Sequence, residues 1–276
     1  MFRLLWQELV LRRNSIIGWG LGLTFFPFVY VGIYPQIAKE IQGMQAILDL
    51  QIYKMMGISL GNFEDWMAST VILFVPLLAS IYAVINGTAT LAGEEEDGRL
   101  EMIVALPIPR WQIVVVKAVA LGVVLLILHL IVALATVGVF LAIQDQVATS
   151  VVAADIVWAV LSGWPLALAI GMISLFLGAF CPNRRTAALI ATAVIIVSYF
   201  GSNLAGMVSS LEPLRPIFLF TYLDATDSVF IDGPRASDVL ILLGVALGAF
   251  ALALFFFQRR NITVGVWPWQ RARTSA

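Results

Sequence analysis

A chain of 276 residues that is 61% hydrophobic and 12% charged lacks the polar groups to cover a water-facing surface. Globular chains carry about 25% charged residues, and the mean hydropathy here is +0.97. A net charge of −1 excludes a nucleic-acid binder held by bulk basicity. The single cysteine, Cys181, excludes an internal disulfide or a cysteine-rich metal site. The composition fits an all-α integral membrane protein whose apolar stretches cross the bilayer as helices.

In chain order, residues 1–14 mix Phe2, Leu4, Leu5, Trp6, Leu9 and Val10 with Arg3, Glu8, Arg12 and Arg13. That mixture suits a short helix lying in the membrane interface. Six apolar segments follow, at about 15–34, 69–92, 112–142, 156–180, 186–208 and 238–257, each near or above the roughly 20 residues a spanning helix needs. The first lacks a short apolar core followed by a small-residue cleavage site, so it reads as an uncleaved span. Between the first two spans, Ile37, Ile41, Met44, Leu48, Ile52 and Met55 recur at steps of three or four. This predicts an amphipathic outer helix within 35–68, broken by Gly57 and Gly61. Lys117, near the start of the third run, is expected to snorkel to the interface. Segment 209–237 carries Pro213, Pro216 and the apolar patch 217–220; the patch is too short to cross and reads as re-entrant or interfacial. Gly18 with Gly22, and Gly244 with Gly248, have the spacing that permits close helix approach. The chain reads as one transmembrane domain over 1–276, with a charged loop at 93–111.

Orientation follows from the basic residues. With both termini inside, the inner segments hold Arg3, Arg12, Arg13, Arg99, Arg110, Lys117, Arg184, Arg185, Arg259, Arg260, Arg271 and Arg273. The outer segments hold only Lys39, Lys54, Arg215 and Arg235. The excess of cytoplasmic Lys and Arg sets six spans with both ends cytoplasmic.

Much chemistry is excluded. Lys39, Lys54 and Lys117 follow Ala38, Tyr53 and Val116, so no Gly-Lys phosphate loop exists. His129 is the only histidine, which rules out a two-histidine metal site within the chain. Gly57-Ile58-Ser59-Leu60-Gly61 matches a nucleophile elbow in letters only, because the elbow needs a strand–turn–helix and a histidine base. His129 deep in the third span is a candidate for the substrate pathway. Asn86 and Asn203, also in spans, are candidates for the pathway or for interhelical hydrogen bonds.

The informative stretch runs from 93 to 111. Glu94, Glu95, Glu96 and Asp97 place four acids on an otherwise basic side. Gly98 separates them from a short amphipathic turn with Leu100, Ile103 and Val104 on one face, and Pro107 ends it. An acidic corner stapled between two spans suits the docking of a basic cytoplasmic partner.

This loop resembles the ABC-2 family of ABC-transporter permeases, whose corresponding loop typically reads as an acidic pair, Gly-Thr-Leu-Glu, an apolar turn, Leu-Pro-x-x-Arg, and a Lys in the next helix. Here Glu95-Glu96-Asp97-Gly98-Arg99-Leu100-Glu101, Leu106-Pro107-Ile108-Pro109-Arg110 and Lys117 match, with Arg99 where Thr is commoner. The resemblance implies a non-catalytic permease subunit of a type V-like exporter in a prokaryotic inner membrane. It would pair with a second permease, the same chain or a homologue. A separate ATP-binding subunit, carrying ATP and Mg, would dock on a coupling helix in the loop. Glu94, Glu95, Glu96, Asp97, Leu100, Glu101, Ile103, Leu106 and Arg110 are the expected contacts. Few in-span charges and an apolar cavity point to an amphiphilic or apolar substrate: a drug, antibiotic, peptide or lipid. The competing reading is a stand-alone secondary carrier or channel, which calls for in-span charges or broken helices at the midplane.

Overall fold

The computed structural model of the chain describes residues 2–43, 62–98 and 109–259. Helix α1 (Phe2–Leu11) is followed almost at once by α2 (Arg13–Gly43). A long helix α3 occupies Phe63–Glu96. Then come α4 (Arg110–Ile143), α5 (Ala153–Leu161), α6 (Trp164–Phe180) and α7 (Arg184–Met207). Two tight turns at Glu212–Ile217 and Leu219–Tyr222, the single-turn α8 (Ser228–Ile231) and α9 (Ala236–Arg259) complete the described chain. Among the described residues, six helices are long and apolar enough to cross a membrane, counting α5 and α6 as one interrupted span. They make the chain an all-α integral membrane protein.

Lipid, not water, sets which residues face out. Leu21, Phe25, Phe28, Leu134 and Leu247 are all exposed on the sides of the bundle, where acyl chains are as apolar as they are. The interior divides into two apolar clusters. One joins α2, α3, α4 and α5 through Leu23, Tyr82, Leu128, Phe140 and Ile156. The other joins α3, α6, α7 and α9 through Leu91, Leu175, Ala187, Leu242 and Phe257. Helices α3, α4 and α6 contribute to both.

Without a hydrophobic drive between helices in lipid, close backbone approach by small residues holds spans together. It occurs where α3 crosses α6, not at the two glycine pairs singled out by spacing. A Cβ on Gly87 would lie 2.7 Å from Ser174 Cβ and 3.0 Å from the Gly171 carbonyl oxygen. A Cβ on Gly178 would lie 3.3 Å from the Thr88 carbonyl oxygen. At Gly18, Gly22, Gly244 and Gly248 a Cβ would meet nothing within 4 Å, so these four do not mediate packing inside the chain.

Helix α3 is not uniform. Ala68–Ile72 and Ala89–Gly93 are wider π-helical turns. The first lies just ahead of Pro76, whose ring crowds the carbonyl four residues back and which has no N–H to give it. The second rotates the last turn of α3 before the acidic run. The fourth span, read from the sequence as continuous over 156–180, is broken at Ser162 and Gly163. The break is packed tightly: a Cβ on Gly163 would sit 2.2 Å from Pro76 Cγ and 3.4 Å from His129 Nε2. The Trp164 indole N–H, on the far side of the break, donates to the Gly122 carbonyl at 3.1 Å and ties α6 to α4.

The expected outer helix between the first spans lies partly outside the described residues. What is described shows α2 running on to Gly43 and α3 starting at Phe63. The patch 217–220 folds back on α7, with Leu219 and Phe220 buried and Ile217 exposed.

Replacing Gly87 by Ala should cost about 1–3 kcal/mol, the usual cost of overpacking. Gly18→Ala and Gly244→Ala should stay within about 0.5 kcal/mol of the parent. Reversible unfolding in mixed detergent with increasing dodecyl sulfate measures all three. Equal stability for Gly87→Ala and Gly18→Ala would contradict the α3–α6 contact.

Candidate coupling site at the α1 end of the bundle

Helix α4 has 34 residues, about 50 Å at 1.5 Å per residue, so it outruns a hydrocarbon core of about 30 Å at both ends. Lys117 sits about 10 Å in from its start, near headgroup depth. Its side chain does not reach water: it is 2% exposed, and Nζ lies 3.0 Å from Glu8 Oε1 of α1 and 2.7 Å from Glu94 Oε1 of α3. The expected snorkel is therefore replaced by an internal ion pair with two carboxylates from two other helices. The reason is geometric: α1 lies across the start of α4 and shuts the lysine off from solvent.

The knot extends one step further. The other Glu8 oxygen, Oε2, lies 3.6 Å from Arg12 Nη2. Arg12 Nη2 donates to Thr90 Oγ1 at 2.9 Å, and the Thr90 hydroxyl donates to the Asn86 carbonyl. Two cations, Lys117 and Arg12, thus meet two anions, Glu8 and Glu94, and the four charges cancel. Two buried atoms are left over, since among the described residues neither Arg12 Nη1 nor Glu94 Oε2 has a hydrogen-bond partner. One is a donor and the other an acceptor.

The π-helical turn at Ala89–Gly93 places these groups, because an extra residue in the turn swings Glu94 toward Lys117. Gly98, with φ of 69°, closes the helix in the left-handed conformation usual for glycine after a helix end. The acidic run divides by role. Glu94 belongs to the knot. Glu95 is 4% exposed. Glu96 is exposed, and its Oε1 accepts the backbone N–H of Arg184 at 2.7 Å. Asn183 caps the same helix start by accepting from the Thr186 N–H at 2.8 Å. Two open N–H groups at the start of α7 are thus satisfied by side chains. Asp97 is exposed just before Gly98. Arg110 opens α4 directly after Pro109. Leu100, Glu101, Ile103 and Leu106 lie outside the described residues, as does the expected coupling helix.

The three in-span polar candidates are not brought together. Asn86 Nδ2 donates to the Tyr82 carbonyl one turn back in its own helix, at 3.0 Å, and so makes no bridge to another helix. His129 is fully buried, about 4 Å past the midpoint of α4. Its Nδ1 donates to the Leu125 carbonyl at 2.8 Å, while Nε2 faces the break at Gly163 with no partner among the described residues. Asn203 lies near the opposite end of the bundle, on α7. Glu8, Arg12 and Thr90 were not singled out in the sequence as site residues. The usable signal was Lys117, an in-span cation whose charge needs partners. No spacing rule connects it to Glu8, 109 residues away.

The model of a family described as ABC-2 family transporter protein matches residues 2–262 of the chain. No curated protein is detectably similar to it.

Removing one member of a buried ion pair strands the others, at about 3–5 kcal/mol. Lys117→Met should lose about that much in dodecyl sulfate unfolding. Adding Glu8→Gln, Glu94→Gln and Arg12→Gln to Lys117→Met should restore most of it, because a neutral replacement of the whole four-charge set is well tolerated. A single Lys117→Met variant as stable as the parent would show that the knot does not form.

Proposed function

The chain belongs to the ABC-2 family of transporter proteins and is a membrane-spanning permease subunit of an ABC transporter, and from that premise we propose an ATP-driven exporter of an amphiphilic or apolar substrate. In this reading the α1 end is cytoplasmic and the membrane is a prokaryotic inner membrane. Drugs, antibiotics, peptides and lipids are the cargo chemistries that suit the apolar spans. A second permease completes the pathway. ATP and Mg are held by a separate subunit docked on residues 93–111.

The observation that carries the reading is the Lys117 knot beside the acidic corner. It fastens α1, α3 and α4 together at the point where the docking loop leaves the membrane. A push on that loop by a closing ATP-binding subunit would therefore be delivered to three helices at once. Glu96 would deliver it to a fourth through the start of α7. The unpaired Arg12 Nη1 and Glu94 Oε2 supply an alternative partner for each other. A small displacement could exchange the Arg12–Glu8 contact for Arg12–Glu94 without leaving a bare charge. Incompletely satisfied polar networks in a low dielectric are costly, so such an exchange suits a device with two positions.

Because Glu95 is buried, charge reversal is best placed on Glu96 and Asp97, which are exposed. The test is extraction from the native membrane in mild detergent, with mass spectrometry of chains that co-purify in fixed ratio. The parent should bring down a phosphate-loop ATPase of ABC type. Glu96→Lys with Asp97→Lys should reduce its recovery at least about tenfold, while permease unfolding should fall only by the roughly 1 kcal/mol that loss of the Glu96 cap on α7 costs. A chain that purifies alone in several detergents would overturn the ATP-driven reading in favour of a carrier or channel. Undiminished recovery with the double variant would overturn docking at the acidic corner.

A further inference from the structure

The end of the bundle opposite α1 carries two cavities between α7 and the folded segment after it, the first also lined by Leu73 of α3. One, of about 180 Å³, is lined by Tyr199, Ser202 and Asn203 of α7 and by Arg215, Thr221 and Thr226 of the segment. The other, of about 340 Å³, is lined by Ile196, Phe200 and Leu204 of α7 and by Leu211, Leu214 and Phe218 of the segment. The first is polar and the second wholly apolar. Phe218 fixes the segment on the helix. Its ring occupies the space of the missing side chain at Gly201, where a Cβ would lie 2.3 Å from Phe218 Cε1. The Phe220 N–H donates to Ser198 Oγ at 3.1 Å and holds the next residues down.

The polar cavity has donors to spare. Asn203 Nδ2 is buried with no hydrogen-bond partner among the described residues, which costs about 1–3 kcal/mol unless something accepts from it. No described side chain pairs with the Arg215 guanidinium, although Glu212 lies on the same turn. The hydroxyls are already directed elsewhere: Ser202 to the Tyr199 carbonyl at 3.0 Å, and Thr221 to the Arg215 carbonyl at 2.9 Å. Thr226 donates to Asp224 Oδ1 at 2.6 Å, and Ser228 to Asp224 Oδ2 at 2.8 Å, so that both oxygens of this carboxylate are engaged. An unpaired amide donor and an unpaired guanidinium at one small cavity are complementary to an oxyanion, and Arg binds carboxylate and phosphate through paired N–H donors.

We propose that this end of the permease binds the anionic headgroup of an amphiphile, with Arg215 and Asn203 on the oxyanion and the exposed apolar face of α7, Ile196, Val197 and Phe200, on the acyl tail. The ligand chemistry is a carboxylate or phosphate joined to an apolar chain. The identification of that ligand as cargo rests on the exporter reading, but the binding itself does not.

The test uses the full chain in phosphatidylcholine nanodiscs and radiolabelled dodecyl phosphate as probe. Saturable binding is expected. Arg215→Gln should weaken it about tenfold, as loss of a charge-assisted hydrogen bond implies; Asn203→Leu should weaken it by a smaller factor. Arg235→Gln, a second exposed arginine at the same end but outside the cavity, should leave it unchanged. Dodecanol should not compete. Binding that is indifferent to Arg215→Gln, or equal competition by dodecanol, overturns the site. Equal competition by inorganic phosphate overturns the amphiphile in favour of a free anion. Displacement by phosphatidylglycerol at bilayer concentrations assigns the head to a resident lipid and overturns cargo. Should Asn203→Leu fail to fold, Arg215→Gln carries the test, since its side chain is exposed. None of these outcomes depends on an ATPase being present, so failure here is separable from failure of the exporter reading.

Discussion

Inside hydrocarbon there is no water to satisfy a polar group, and the architecture of this chain answers to that constraint throughout. The backbone is helical wherever it crosses. In-span hydroxyls turn inward onto carbonyls one turn back, as with Thr70 on Trp66, Ser80 on Pro76, Thr88 on Val84, Thr136 on Val132 and Ser174 on Ile170. Departures from the regular helix are supported locally. The break at Ser162 and Gly163 is packed between Pro76 and His129, and the Trp164 indole closes on the Gly122 carbonyl beside it.

The same constraint separates the two ends. At the α1 end, Lys117, Glu8, Glu94 and Arg12 neutralise one another, because charges taken from water must bring their partners with them. The knot is thereby also a mechanical joint: three helices cannot move apart there without exposing an uncompensated charge. At the opposite end, Arg215 and the Asn203 amide have no such partners within the described chain. One end is electrically closed and suited to transmitting a push. The other is left short of acceptors and suited to receiving a ligand that brings them.

Helix packing repeats the lesson that spacing and contact are different things. Two glycine pairs four residues apart, Gly18–Gly22 and Gly244–Gly248, have the right period and face open space. The close crossing of α3 and α6 uses Gly87, Gly171 and Gly178, which share no such period because they come from two helices. Period along one helix reports a face. Only the arrangement of its neighbour decides whether that face is used.

Composition and hydropathy by themselves determined the all-helical membrane class and the number of spans, because transfer to hydrocarbon is a local property that sums along the chain. The acidic run, the Pro-ended turn and the following lysine were equally legible, being contiguous, and with them the resemblance to ABC-2 permeases. The tertiary structure alone decided what those residues touch. It turned Lys117 from a snorkelling side chain into a buried bridge to Glu8 and Glu94. It divided four adjacent acids among a knot, a buried site, a cap on α7 and an exposed corner. It interrupted the fourth span at Gly163, and it set Arg215 and Asn203 at one cavity. Each of these joins residues far apart in the chain, and their energies depend on distance and burial in space, which no local window of sequence contains.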